Sequence, residues 1–185
     1  MDKNFFTFKS LGGAYPALEN ELRLGTPTAV FGVSDVHKYL IASLFENKVL
    51  YLTADAVSAG RAYSAISAFS GKKCALIPAK DDVVLYKDAL SKDALFRRLS
   101  AIYSLADGAE VIVCDAESAM QLFPARLPSV RLTVGGDCDY SVLPQQLISM
   151  GYTREYSVES KGAFAVRGDI LDVYPVNCSN PVRID

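Results

Sequence analysis

Short apolar runs alternate with longer amphipathic stretches through the first two thirds of the chain. Four runs, Thr28–Phe31, Val49–Leu52, Cys74–Ile77 and Val111–Cys114, have the length and content of strands. Between and after them, 36–45, 56–70, 92–106 and 116–122 repeat apolar residues at helical spacing. Strands that are apolar throughout and alternate with helices imply a parallel sheet covered on both faces. Ahead of this pattern, 1–13 reads as an irregular lead-in. Pro16–Leu24 reads as a short helix with Pro near its start, closed by Gly25.

The pattern changes near Ser129. Val130–Val134 predicts a strand and Gly135-Gly136 a turn. Ser141–Met150 predicts a helix with Pro144 in its first turn and Gly151 just beyond its end. The run from Phe164 to Pro175 then reads as a β-hairpin about Gly168-Asp169, with Gly first, as in a type II′ turn. This register sets Val166 opposite Leu171 and Phe164 opposite Val173, with all four on one face. Arg167, Ala165, Asp172 and Ile170 share the other. A straight strand would mix apolar and charged positions. Before the hairpin, alternation groups Tyr152, Arg154, Tyr156 and Val158, and an arginine between two tyrosines can lay its guanidinium on a ring.

Composition narrows the function classes. Half of the 185 residues are apolar and 22% are charged, and the net charge is −2. That balance gives no general attraction to nucleic acid or an anionic membrane. No run approaches the length of a membrane span, and the start lacks the apolar segment of a signal peptide. The four cysteines, at 74, 114, 138 and 178, include no close pair, and His37 is the one histidine. Buried free thiols in a reducing cytoplasm fit this better than a zinc site, and neither cofactor nor metal is expected.

The turn after the first apolar run carries the main question of chemistry. A phosphate-binding loop reads Gly, four residues, then Gly-Lys-Ser/Thr, between strand and helix. Here Gly32 and Lys38 fit, but His37 replaces the second Gly and Tyr39 the Ser/Thr. His37 puts a side chain where backbone amides would close on phosphate, and the Tyr39 phenol lies too far out to serve as the magnesium-binding hydroxyl. Asp35 adds a carboxylate where ligand charge would sit, so Asp35 or Ser34 reads instead as a helix cap.

The segments GYTRE (151–155), GAFAVRGDILDVYP (162–175) and PVRID (181–185) resemble the second domain of the UvrB-like module at the N-terminus of bacterial transcription-repair coupling factors. They resemble UvrB itself less closely. Upstream, Leu50–Asp55, Phe96–Leu105 and Val111–Asp115 look like strands and a helix of the same module. The resemblance implies two parts: 1–128, a P-loop-derived parallel α/β domain with a degenerate nucleotide site, and 129–185, a smaller α+β domain that docks on UvrA. It implies a non-catalytic piece of a longer ATP-dependent translocase, with RNA polymerase and DNA met through regions downstream, and a second domain that continues past PVRID. In UvrB a long aromatic-rich hairpin probes DNA, whereas the matching connection here, 78–91, has only Tyr86 as an aromatic and balances lysines against aspartates.

By the same resemblance, Arg154 and Arg167 correspond to UvrA-docking arginines, with Arg183 and Phe164 as weaker carry-overs. Read without it, an arginine near acids in a sheet is a surface ion pair, and the hairpin register makes Phe164 a core residue. From Gly151 to Asp185, three arginines and one lysine face five acids, so no basic patch forms. Two rivals stay open. One is a nucleotide hydrolase using Lys38 and Asp115, although Asp115 stands where an N-cap would. The other is a nucleic-acid module using Arg97, Arg98 and Arg126.

Overall fold

The computed structural model describes residues 8–80, 92–124, 126–136 and 138–185. By contact the chain forms two compact units, Met1–Ala79 with Ser104–Gln121, and Lys80–Tyr103 with Leu122–Asp185.

In the first unit, β1 (Val49–Thr53), β2 (Cys74–Ile77) and β3 (Val111–Asp115) form a parallel sheet in the order β1-β3-β2. Val49 and Cys74 both register with Val111. One sheet face buries Val111 and Val113 completely against helices α3 (Asp35–Leu44) and α4 (Ala56–Ser70). Small residues on α4, Ala59 and Ala62, let that helix lie close to the strands. The start of α4 is fixed by Asp55, whose carboxylate accepts from Ser58 N at 2.8 Å, and its end by Gly71 in the left-handed region. On the opposite face Ala75, Ile77 and Cys114 are buried, while Leu50 and Leu52 of the edge strand β1 are exposed.

Earlier come α1 (Phe8–Leu11), a single turn where an irregular lead-in was expected, and α2 (Tyr15–Arg23), closed at Gly25 as predicted. The predicted strand at Thr28–Phe31 does not form: the run pairs with nothing among the described residues, and Phe31 is 89% exposed. An apolar run becomes a strand only where a neighbour accepts its backbone hydrogen bonds.

The second unit is built on a sheet in the order β4-β5-β6-β7, with β4 at Thr153–Arg154, β5 at Ala163–Arg167, β6 at Ile170–Val173 and β7 at Val182–Ile184. β4 runs parallel to β5, and the other pairs are antiparallel. The β5–β6 register is the one read from the sequence: Phe164 with Val173, Ala165 with Asp172, Val166 with Leu171 and Arg167 with Ile170. Gly168 has φ +61° and no described non-glycine residue has positive φ, which are the signs of a type II′ turn.

Phe164, Leu171 and Val173 form the core of this unit with Leu143 and Leu147 of α7 (Leu143–Ser149). Beyond α7, Tyr152 N donates to Leu147 O at 3.0 Å and Gly151 takes the left-handed conformation, closing the helix as its Gly predicted. The predicted strand Val130–Val134 is absent; those residues are exposed and irregular. Helix α5 (Lys92–Ala106) has the predicted bounds, and its Phe96 ring rests on Gly162. A Cβ at Gly162 would lie 2.7 Å from Phe96 Cζ, and φ is +79° there, so position 162 requires glycine twice over.

Candidate functional site

Arg167 ends β5 beside the hairpin turn and is exposed. Its Nη2 donates to the carbonyl of Tyr156 at 2.7 Å, and its guanidinium lies over the Tyr156 ring, 5.1 Å from the centroid. The expected arginine–tyrosine stack therefore exists with a different arginine. The cause is local: β4 stops at Arg154, and the chain bends at Tyr156 and Ser157 instead of continuing the alternation. Two bonds, Thr153 N to Gly162 O and Glu155 N to Phe164 O, both 2.8 Å, hold this strand end against β5. Tyr156 is left 89% exposed. Sequence reading grouped Tyr156 with Arg154 and did not assign it to the site; only the fold, which joins positions 156 and 167, shows the pair.

The other assigned residues separate. Arg154 is exposed and registers with Phe164, which puts it on the core side of the sheet, whereas Arg167 registers with Ile170 on the opposite side. Arg154 forms no side-chain hydrogen bond or ion pair with another described residue. Arg183 sits across β6–β7 from Asp172 and grips it with two bonds, 2.7 Å from Nε and 2.9 Å from Nη2. That pair holds the Asp172 carboxyl below the usual aspartate range, with Arg167 adding a smaller effect through space. Phe164, carried over as a contact residue, is 0% exposed and in this fold cannot touch a partner. It supports the surface from beneath, as its hairpin register implied.

The stretch resembling a phosphate loop shows a different economy of charge. Gly32 has φ +72° and Ser34 occupies the N-cap position of α3, but its hydroxyl bonds the His37 Nδ1 at 3.0 Å and makes no capping bond to the backbone. Neither Ser34 nor Asp35 caps this helix in the way expected. Asp35 pairs with Lys38 at 3.0 Å instead, and that hydrogen bond raises the Lys38 ammonium above its ordinary value. Tyr39 packs half-buried against the first core, 6.0 Å from the Tyr51 ring.

Asp115 is an N-cap. It is 4% exposed and accepts from Ser118 N at 2.7 Å at the start of α6 (Ala116–Met120). Of the arginines in the nucleic-acid reading, Arg98 is buried with its guanidinium 4.8 Å from the Phe123 centroid, while Arg97 and Arg126 are exposed. The loop expected over 78–91 lies, from 81 onward, outside the described residues. All four cysteines are free thiols.

Comparison with known proteins agrees with the resemblance. Residues 130–185 match the family described as the UvrB interaction domain. The chain is 33% identical over 116 residues to UvrABC system protein B of Treponema denticola, covering 60% of this chain and 17% of that one. It is 32% identical over 94 residues to the transcription-repair-coupling factor of Bacillus subtilis, 48% of this chain and 8% of the relative. With the transcription-repair-coupling factor of Mycobacterium tuberculosis, identity is 27% over an alignment of 192 positions that covers 97% of this chain and 15% of the relative. The chain thus spans less than a fifth of the length of these relatives, and its similarity to UvrB and to transcription-repair-coupling factors runs through much of it.

Proposed function

We propose that this chain is a non-catalytic protein-interaction module of a transcription-repair coupling factor, and that its second part, 129–185, docks on UvrA to bring it to transcription stalled at damage. The observation that carries this reading is the match of 130–185 to the UvrB interaction domain, a segment in which a fully paired hairpin leaves Arg167 exposed. Arg167 is the principal contact. Arg154 lies on the other side of the sheet, so one flat contact cannot take both arginines, and its share is smaller. Arg183 holds the hairpin through Asp172, and Phe164 holds it from below.

Residues 1–128 are read as a P-loop-derived domain without a working nucleotide site. The Lys38 charge is neutralised locally by Asp35, and Tyr39 packs half-buried against the core. Contacts with RNA polymerase and DNA belong to parts of the longer protein beyond this chain, which works in the cytoplasm. A pull-down of the chain with purified UvrA tests the docking role, and retention of UvrA is expected. Titration with ATP and magnesium tests the nucleotide reading. No saturable binding is expected, and micromolar affinity would restore the hydrolase alternative. Duplex DNA is expected to bind weakly, without the steep salt dependence of many phosphate contacts.

A further inference from the structure

We infer that Tyr156 and Arg167 act as one preassembled contact, with Tyr156 a partner-binding residue in its own right and a partner carboxylate as the group that Arg167 receives. This inference rests on the docking role proposed above and deepens it. A guanidinium has five N–H donors in a planar fork. Arg167 uses one edge to hold the Tyr156 carbonyl at 2.7 Å and its face to support the ring at 5.1 Å. Both interactions are with neutral groups, so neither pairs the positive charge with an anion while they hold the side chain in place. Asp172, a carboxylate on the same face of the hairpin, is already bound by two bonds from Arg183. The remaining donors of Arg167 are therefore open to an acceptor from outside, and a carboxylate matches the fork best.

The ring supplies the second half of the contact. Tyr156 is the most exposed of the described aromatic side chains in this unit, at 89%, and its ring is contacted by the Arg167 guanidinium rather than packed into the core. An exposed tyrosine beside an arginine that is hydrogen-bonded in place has the composition of an interface hot spot: the ring can exclude water from an ion pair, and a tyrosine has little rotamer freedom to lose on binding. The partner surface that fits is an aspartate or glutamate bordered by an apolar patch wide enough to cover one ring. Arg154, on the other side of the sheet, does not take part in this unit.

The experiment is a double-mutant cycle on UvrA binding with wild type, Tyr156→Ala, Arg167→Ala and the double variant, plus Tyr156→Phe and Arg167→Lys, each checked by thermal melting. Tyr156→Ala is expected to weaken binding about tenfold or more with an unchanged melting temperature. Tyr156→Phe is expected to bind like wild type, since the bond to Arg167 uses the backbone carbonyl. The double variant should bind no worse than Arg167→Ala, because the ring depends on Arg167 for its place on the surface. Arg167→Lys should fall close to Arg167→Ala, because an ammonium cannot hold the carbonyl, face the ring and present a fork at once. Wild-type affinity in Tyr156→Ala, or strict additivity in the double variant, overturns the inference while leaving the docking role intact. Failure of the wild-type chain to bind UvrA overturns the docking role itself.

Discussion

Lys38 in the first turn of α3 and Arg167 at the end of β5 are both exposed cations, yet their surroundings differ in one decisive respect. Lys38 is held at 3.0 Å by the carboxylate of Asp35, so the pair offers an approaching anion almost no net charge. Arg167 is held by a carbonyl and a ring, which fix its position and leave its charge intact. A cation tied by an anion serves its own helix; a cation tied by neutral groups stays available to a partner. The same contrast extends to the scaffolds. The run before Lys38 forms no strand, whereas Arg167 sits on a hairpin whose every pair is in register over a closed core.

The contrast can be broken most forcefully from beneath. Phe164→Ala empties the centre of the second core and should lower stability by about 3–5 kcal/mol, with loss of UvrA capture following from unfolding. Denaturant titration measures the first effect. Gly162→Ala should cost about 1–3 kcal/mol, because the new methyl meets Phe96 at 2.7 Å on a backbone with φ +79°. Shortening Phe96 to Leu in the same chain should recover part of that loss, and no recovery would show that backbone strain alone is responsible.

A smaller effect separates Arg183 from Arg167. Asp172, Asp55 and Asp139 all have carboxyl groups held below the usual range, by Arg183, Ser58 and Ser141 respectively. A lowered folded-state value means that the stabilisation is complete above the ordinary aspartate pKa of about 3.9 and is lost as pH falls through the folded value. Melting followed from neutral pH into acid should therefore decline below about pH 4, and Asp172→Asn should make that decline shallower. Arg183→Gln should do the same, whereas Arg167→Gln should leave the profile nearly unchanged. The smallest effect belongs to the first turn of α3: Asp35→Ala removes an exposed ion pair and should shift stability by no more than about 1 kcal/mol, with no gain of ATP binding.

Much of this architecture was legible in the chain. The strand at Cys74–Ile77 and the helices at 56–70 and 92–106 have the bounds that their apolar spacing predicted. The hairpin register followed from period-two alternation around Gly168, because a shift by one residue would turn Phe164 and Leu171 into solvent. Thr28–Phe31 and Val130–Val134 carry the same local signal and form no strand, since pairing depends on a neighbour that composition does not reveal. Ser34 stands at the right place for a cap but bonds His37, a choice set by one rotamer. The Tyr156–Arg167 contact was hidden for a related reason. It depends on β4 ending after two residues and on the bend that follows, and nothing in GYTREYS announces either.

The contrast between the two cations has its most direct test in calorimetric titration of purified UvrA into the wild-type chain and into Arg167→Glu and Lys38→Glu, with melting curves to establish that each variant is folded. Arg167→Glu is expected to weaken binding by about 30-fold or more, as for loss of an interface arginine, while Lys38→Glu binds like wild type. Equal affinity for all three, or a loss in Lys38→Glu alone, would contradict the assignment of the partner-facing charge to the hairpin.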